Sequence, residues 1–239
     1  MSELRVRSDV GVDLVKASAS DADVVWSARV STQGEASLEA LQADPERSEG
    51  LIRYLMKNRH GTPFEHNSMT FLISAPIFVF REFQRHRIGW SFNEESGRYR
   101  ELEPVFYVPA PERKLAQQGK PGHYEFVDAG PELTELTVAV STRAYAAAHG
   151  AYREMLDAGV AREVARTVLP VGTYSSMYAT CNSRSLMAFL SLRTASEGST
   201  FPSYPQREIE LVAEQMEAYF ATLMPLTHRA FDQAGRVCP

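Results

Sequence analysis

Apolar residues recur every three or four positions through much of the chain, which is the period of an amphipathic helix. The longest such pattern, over 132–158, is carried by Leu133, Leu136, Val140, Ala144, Ala148, Tyr152 and Met155. Shorter patterns of the same kind, with capping residues such as Ser20, Asp21 and the Asp44-Pro45 pair, predict further helices. These helices are predicted at 19–30, 44–58, from 77 onward, 160–168, 183–193 and 206–224.

Strand patterns are fewer. Residues 68–74 alternate with a period of two and place Met69, Phe71 and Ile73 on one face. Two further strands are predicted at 104–109, an edge strand because prolines flank it, and at 171–180. Residues 110–130 are rich in Pro, Gly and charge and predict a surface loop. Few strands and no regular strand–helix alternation predict an α+β fold, with an antiparallel sheet core packed against long helices.

The size and motifs of the chain exclude several classes of protein. Its 239 residues, 44% of them hydrophobic, can bury one sizeable core, so a single domain over 1–239 is expected. No Rossmann or P-loop glycine pattern occurs. The start of the chain is charged and contains no apolar stretch, so secretion is not predicted. No run of 18 apolar residues occurs, so no membrane partner is predicted. Two cysteines, Cys181 and Cys238, with no CxxC or HExxH, fit a reducing cytoplasm and no metal site.

Five arginines lie within residues 81–100 of a chain whose formal net charge is −5, namely Arg81, Arg85, Arg87, Arg98 and Arg100. Crowded guanidinium groups repel one another unless an anion lies among them, and their planar fork suits phosphate. The cluster is therefore either a solvated basic loop or a pocket for phosphate-bearing small molecules. A nucleic-acid-binding module is a third alternative, which the acidic balance of the chain disfavours.

The sequence RHRIGWSFNEESGRY at 85–99 resembles the signature of the flavin-dependent thymidylate synthases. In that family an Arg-His-Arg triplet is followed by a spacer, a serine and Gly-Arg-Tyr. Further stretches resemble blocks of the same family in the same order, and the resemblance covers most of 20–195. These blocks are SARVS (27–31), LIRYLMKNRHGTPFEH (51–66), APIFVFREF (75–83), AREVARTVLP (161–170) and NSRSLMAFLSLR (182–193).

The resemblance implies a cytoplasmic homotetramer with active sites shared between subunits, which methylates dUMP to dTMP. The family takes the carbon from 5,10-methylenetetrahydrofolate and reducing equivalents from NADPH through FAD. The FAD contacts carried over from the family are Ser31, His60, Thr62, Arg85, His86, Arg87, Glu94, Asn182, Ser183 and Arg184. The dUMP contacts carried over are Glu82, Phe83, Gln84, Arg85, Glu94, Glu95, Ser96, Gly97, Arg98, Arg166 and Arg193.

Arg193 is the predicted catalytic residue. A cation at the end of an apolar helix can simply satisfy the helix C-terminus. In the family interpretation, its guanidinium faces the uracil ring and favours the ionised pyrimidine. That stabilisation, of order 2.7–4 kcal/mol per donor, takes the place of a covalent thiolate adduct. Cys181, the obvious nucleophile of a conventional enzyme, has no neighbouring base in sequence and fits an inert core residue.

Other side chains have two interpretations each. Ser96 is either a phosphate-binding hydroxyl beside Arg98, which we favour, or a nucleophile with His86 as its base. The pair His60 and His66 suits flavin-side hydrogen bonding or core structure better than metal binding. Arg162 and Arg166 lie one helical turn apart and are either surface salt-bridge partners or, for Arg166, a nucleotide contact.

The chain departs from the family pattern in four places. The spacer before Ser96 is eight residues instead of seven, which predicts a bulge near Gly89-Trp90. Glu82 stands where a glutamine is usual, and Ala188 replaces a polar residue. Residues 195–205 have the look of an insertion. The alternative enzyme function is one that keeps the flavin and nucleotide pockets but modifies another pyrimidine nucleotide.

Overall fold

A computed structural model of the chain describes residues 4–42, 45–120 and 123–239. These residues form two compact units. The first contains residues 4–10, 74–84 and 93–177, and the second contains residues 11–73, 85–92 and 178–239. The expectation of a single domain over 1–239 stays a prediction.

The helices follow most of the predicted positions. They are α1 (Asp21–Gln33), α2 (Pro45–Lys57), α3 (Ile77–Phe83), α4 (Pro131–Asp157), α5 (Arg162–Ala165), α6 (Ser183–Arg193), α7 (Arg207–Leu223) and α8 (Pro225–Gln233). Ser20 caps α1, since the Asp23 carboxylate accepts hydrogen bonds from both its backbone N–H and its hydroxyl. The predicted cap Asp44 lies outside the described residues. The helix predicted over 160–168 is the short α5 followed by a 3₁₀ turn, Arg166–Val168.

Eight strands are present in the described residues. They are β1 (Arg5–Arg7), β2 (Gly11–Ser18), β3 (Ser68–Pro76), β4 (Trp90–Glu94), β5 (Val105–Tyr107), β6 (Ala116–Lys120), β7 (His123–Val127) and β8 (Tyr174–Cys181). Four form a sheet in the order β2-β3-β8-β4, while β1 pairs with β5 in parallel and β6 with β7 antiparallel. The α+β prediction is confirmed.

The period-two pattern of β3 buries the side chains that the sequence indicated. Met69, Phe71 and Ile73 are fully buried. In the second unit, helix α7 contributes Ile209, Val212, Met216 and Phe220, which are also fully buried at helical spacing. Phe106 and Tyr152 belong to the core of the first unit. Burial of this apolar area is the main favourable term in folding.

The surface loop predicted over 110–130 is wrong for much of its length. Residues 116–120 and 123–127 pair antiparallel as β6 and β7, with Ala116 opposite Val127 and Gln118 opposite Glu125. Polar side chains predominate in β6, so the sequence lacks the apolar alternation that identifies a strand, although backbone pairing is complete. Strands β1, β2 and β4 and helix α8 are further additions to the predicted set. None of the helices in the described residues has both the length and the apolarity required to span a bilayer.

Candidate functional site

The predicted site residues fall into two groups, one in each unit. The α6 group, in the second unit, comprises Thr62, the turn 85–89 and α6 with its cap Asn182. The β4 group, in the first unit, comprises residues 82–84, residues 94–98 and Arg166. Each group has its own internal geometry and is held by a different kind of interaction.

The start of α6 is fixed by its own polar side chains. The Oδ1 atom of Asn182 accepts a hydrogen bond from the backbone N–H of Ser185 at 2.9 Å, which caps the helix. Ser183 is fully buried, and its hydroxyl donates to the carbonyl oxygen of Phe64 at 2.7 Å. The Asn67 amide donates to the same hydroxyl at 3.1 Å, and its oxygen accepts from the Ser183 N–H at 2.8 Å. These bonds hold α6 against the segment that precedes β3.

Gly89 brings the arginine-rich turn into contact with α6. Its φ of +69° lies in the left-handed region, and a Cβ added there would lie 2.1 Å from the Ser185 hydroxyl oxygen. That hydroxyl donates to the carbonyl oxygen of Ile88 at 2.9 Å. Where a bulge near Gly89-Trp90 is predicted, the structure has a glycine turn, and β4 begins at Trp90.

His86 and Arg193 are joined directly. The Nε–H of Arg193 donates to Nε2 of His86 at 3.0 Å. Burial and the positive charges of Arg193 and Arg85 lower the pKa of His86 to about 4. The imidazole meets the Phe189 ring edge-on, with ring centroids 4.9 Å apart, and Phe189 also contacts Trp90 at 5.5 Å. The predicted catalytic arginine thus has a neutral histidine as its neighbour.

Arg184 lies against the glycine at position 61. A Cβ on Gly61 would lie 2.4 Å from the guanidinium carbon of Arg184, so glycine leaves room for the guanidinium in this position. The guanidinium pairs with the Glu65 carboxylate and donates through Nε to the carbonyl oxygen of Pro239 at 2.8 Å. The hydrogen bond with Glu65 raises the pKa of Arg184. A cavity of about 470 Å³ lies here, lined in part by Asn182, Arg184, Ser185 and Ala188.

Four other predicted flavin contacts are exposed. Arg85 and Arg87 make no ion pair with any residue in the described ranges. Ser31 is also exposed and donates to the carbonyl oxygen of Ala28 within α1. His60 packs against the ring of Tyr54, with centroids 5.9 Å apart. The structure therefore gives Ser31 and His60 local contacts, while the two arginines extend from the turn.

The β4 group is centred on the carboxyl of Glu94 and the turn that follows it. Burial raises the pKa of Glu94, while the nearby Ser175 hydroxyl and the charges of Arg166 and Arg81 act in the opposite direction. The Glu95 N–H donates to the carbonyl oxygen of Ser176 at 2.8 Å, which anchors the turn to β8.

Within this turn, the Ser96 hydroxyl accepts from the Arg98 backbone N–H at 3.3 Å. Gly97 is buried, and a Cβ there would lie 3.3 Å from Cδ of Arg166. Phe83 is fully buried, Glu82 is half-buried and Gln84 is exposed at the end of α3. The structure therefore brings Ser96 and Arg98 together and places Arg166 next to the same turn.

Ion pairs on the surface satisfy the other arginines of this turn. Arg98 pairs with Glu163 at 3.0 Å, and Arg100 pairs with Glu95 at 3.1 Å. The Arg98 and Glu163 side chains are 51% and 56% exposed, so water competes for this pair. Arg166 makes no close ion pair among the residues described, although its charge acts on the Glu94 carboxyl.

Cys181 is buried in β8, and burial raises the pKa of its thiol well above the usual range. A thiol kept protonated in this way is a poor nucleophile. The carboxylates of Glu217 and Asp232 lie near His228, but the Arg236 guanidinium donates to both at 2.7 Å. A cation already occupies that cluster, which we interpret as an ion-pair network.

Two residues of the α6 group were absent from the predicted set. Gly61 and Ser185 contact no predicted ligand themselves but fix the positions of Arg184 and the turn at Gly89. Asn182 before an apolar helix is a capping signal, but its partner is the Ser185 backbone N–H, so the sequence contained no signal for the Ser185 hydroxyl. The closeness of Gly61 to Arg184 depends on the tertiary fold and has no local signal.

Comparison with known proteins gives concordant matches over nearly the whole chain. The family described as "Thymidylate synthase complementing protein" matches residues 13–226. A flavin-dependent thymidylate synthase of Streptomyces avermitilis is 68% identical over 98% of this chain and 95% of that protein. One of Tropheryma whipplei is 55% identical over 97% of this chain and 96% of that protein.

Solved structures of a related methylase are also similar. A UMP/dUMP methylase from Streptomyces cacaoi, bound with 5-Br dUMP, has a TM-score of 0.93 and 57% identity, covering 99% of this chain and 100% of that one. The same methylase bound with 5-Br UMP has a TM-score of 0.91 and 55% identity, covering 99% of both chains.

Proposed function

Because the chain belongs to the family of flavin-dependent thymidylate synthases, we propose that it converts dUMP to dTMP by reductive methylation. In this proposal 5,10-methylenetetrahydrofolate supplies the carbon, and NADPH is the reductant through FAD. The observation that carries the proposal is 68% identity, over nearly the full length of both chains, with an enzyme of that name. The 57% identity with a methylase bound with 5-Br dUMP supports the choice of nucleotide.

The donors of the α6 group fit a flavin dinucleotide. Arg85 and Arg87 are exposed on a turn held by Gly89, and paired guanidinium groups suit a diphosphate. Asn182 and Arg184, which line the adjoining cavity, would complete the contacts together with Thr62. Arg184 would exchange Glu65 or Pro239 for the cofactor. When bound, the flavin supplies the reducing equivalents for the methyl group.

The β4 group fits the phosphate and ribose of a nucleotide. Arg98 is paired with Glu163 on the surface, and such a pair contributes only about 0–1 kcal/mol, so a phosphate can displace the carboxylate. Ser96 offers a hydroxyl next to the same arginine, and Arg166 adds a second cation beside the turn. In this role Ser96 binds phosphate and is not a nucleophile.

Arg193 is proposed to act on the pyrimidine itself. Its fixed positive charge would stabilise the negative charge that develops along the N3–carbonyl edge of uracil. A donor placed where charge develops contributes of order 2.7–4 kcal/mol, so no covalent thiolate adduct is required. Burial of Cys181 agrees with that route.

We further propose that the enzyme is a cytoplasmic homotetramer in which neighbouring subunits share each active site. Apolar side chains of α4 are exposed, with Leu136 at 56% and Val140 at 42%. Ile88, in the turn of the α6 group, is 90% exposed. Apolar surface of this kind supports contacts between subunits.

Methylation of UMP is a second candidate activity. The two solved relatives are described as a UMP/dUMP methylase, bound in one case with 5-Br UMP. The two substrates differ only in the ribose 2′-hydroxyl. Product analysis with dUMP, UMP and dCMP under identical conditions distinguishes a strict thymidylate synthase from an enzyme that accepts other pyrimidine nucleotides.

A visible-range absorbance scan of the purified protein tests the cofactor, and NADPH oxidation tests the reaction. We expect bound oxidised flavin and NADPH consumption that depends on dUMP. A colourless protein that does not bind added FAD would contradict the proposed function.

A further inference from the structure

We infer that His86 is a positioning residue for Arg193, acting as a neutral hydrogen-bond acceptor that orients the guanidinium toward the pyrimidine. The inference rests on the proposed function, in which Arg193 stabilises charge on the uracil ring. His86 then acts by orienting Arg193. This role is additional to the flavin contact that the family resemblance implies for His86.

The geometry of the bond fixes which atom of His86 is protonated. Arginine carries N–H donors and no acceptor, so the His86 Nε2 atom at 3.0 Å from Arg193 Nε must be the acceptor. A neutral imidazole with an unprotonated Nε2 carries its proton on Nδ1. The bond engages one of the five N–H donors of Arg193, and the other four are on the two terminal nitrogens.

The imidazole is itself held by the helix that carries Arg193. Phe189 is fully buried and meets the His86 ring edge-on at 4.9 Å. Phe189 precedes Arg193 by four residues on α6, so the two side chains lie on the same helix face. Helix α6 thus carries both Arg193 and Phe189, the ring that packs against the histidine acceptor. This arrangement limits rotation of the guanidinium plane.

The surrounding charges keep the acceptor neutral. The charged groups acting on His86 are Arg193, from α6, and Arg85, from its own turn. Both are cations, and with burial they lower the pKa of His86 to about 4. A protonated ring would lose its acceptor and repel Arg193. At neutral pH, the Nε2 atom of His86 is therefore an uncharged acceptor that is engaged by the arginine.

The first experiment compares two variants of His86 in the full-length protein. His86→Gln retains an uncharged acceptor of similar reach, whereas His86→Leu removes the acceptor and keeps similar volume. With saturating dUMP, we expect His86→Gln to keep kcat within about fivefold and His86→Leu to lose about 30-fold or more, with a smaller change in KM. Full activity of His86→Leu, or an equal loss in both variants, would overturn the inference.

Coupling between the two residues gives a sharper result. If His86 acts through Arg193, the double variant His86→Leu/Arg193→Ala should be no slower than Arg193→Ala alone. Multiplicative losses in the double variant would mean that His86 acts independently of Arg193, which contradicts the inference.

A measurement on the wild-type protein separates this inference from the proposed function. Nitrogen NMR of histidine-labelled protein should show His86 as the neutral Nδ1–H form at pH 7 and still at pH 5.5. An imidazolium at pH 7 would overturn the inference whatever the enzyme assay gives. Absence of dTMP synthesis with the neutral form observed would instead contradict the proposed function and leave the hydrogen bond intact.

Discussion

The α6 group and the β4 group both present arginines, but they hold them in different ways. In the α6 group, Arg193 and the turn at Gly89 are fixed by hydrogen bonds to His86 and Ser185 and by ring contacts. In the β4 group, Arg98 and Arg100 are held by exposed ion pairs with Glu163 and Glu95. Partly buried hydrogen bonds fix geometry, whereas exposed ion pairs are weak and exchangeable.

This difference corresponds to two chemical tasks. Stabilising charge on a reacting ring requires a donor that is already in position, because reorganisation during the reaction reduces its value. Binding a phosphate requires positive charge that can give up one anion for another. We therefore expect substitutions in the α6 group to affect turnover and stability, and those in the β4 group to affect nucleotide affinity.

The largest effect is expected from Arg193→Ala. Loss of the donor that faces the developing charge should lower kcat by about 10²–10³-fold. Turnover with saturating dUMP measures it, and Arg229→Ala, an exposed arginine paired with Glu49, is the matched control. Activity within a few-fold of wild type would restrict Arg193 to a helix-terminal role.

The second effect is a dependence of stability on pH. The folded pKa of His86, about 4, is below its ordinary value of 6.5, so the unfolded chain binds the proton first as the pH falls. Its contribution to stability is therefore complete above about pH 6.5 and is lost toward pH 4. Urea unfolding across this range should show a shallower decline for His86→Gln. Parallel curves would show that His86 titrates normally.

A pair of glycine substitutions tests the close packing of the turn. Gly89 and Gly159 both have positive φ, but only at Gly89 would an added Cβ clash with a neighbour, the Ser185 hydroxyl. Gly159→Ala should cost about 1 kcal/mol from backbone strain, and Gly89→Ala about 1–3 kcal/mol more. Urea unfolding measures both.

The double variant Gly89→Ala/Ser185→Ala is the control. If it recovers part of the unfolding free energy, the additional loss in Gly89→Ala comes from the clash with the Ser185 hydroxyl. Equal losses in the two single variants would indicate that the turn does not pack against α6 as described.

In the β4 group, Ser96→Ala and Arg98→Ala should weaken dUMP binding by about 1 kcal/mol or more while leaving measurable turnover. Glu163→Gln, which removes the competing carboxylate, should leave affinity unchanged or slightly tighter and change stability by less than about 1 kcal/mol. Titration calorimetry with dUMP measures all three. Complete loss of turnover in Ser96→Ala with intact affinity would favour the nucleophile interpretation.

The smallest effect is expected for Cys181→Ser. Because the buried thiol stays protonated and lies outside both groups, dTMP formation per folded enzyme should be retained. Abolished turnover in a folded variant would restore a thiolate mechanism.

The sequence predicted the elements whose patterns are strong and local. Helices α4 and α6 and strand β3 were identified because apolar spacing alone distinguishes them. Helix α8 was missed although Pro225 is a typical first helical residue. Its start is completed by Asp21, whose carboxylate accepts from the N–H groups of Leu226 and Thr227, and no local pattern reveals a partner two hundred residues away.

The candidate site shows the same division. The residue types around 85–99 and 182–193 identified the family, which the comparisons confirmed. The bond between His86 and Arg193 joins residues 107 positions apart. The orientation of the His86 ring in that bond depends on its packing against Phe189. The spacing of residues in the sequence does not show which distant side chains are in contact. A family resemblance can therefore identify His86 and Arg193 as site residues without showing that they are hydrogen-bonded.

The most direct test of the account is transfer of labelled carbon. The purified protein is incubated with FAD, NADPH, dUMP and 5,10-methylenetetrahydrofolate labelled with ¹³C in the methylene group, and the nucleotide is analysed by mass spectrometry. The account predicts dTMP with the label in its methyl group, formed only when both NADPH and FAD are present. Flavin-bound, folded enzyme that leaves dUMP unlabelled would contradict it.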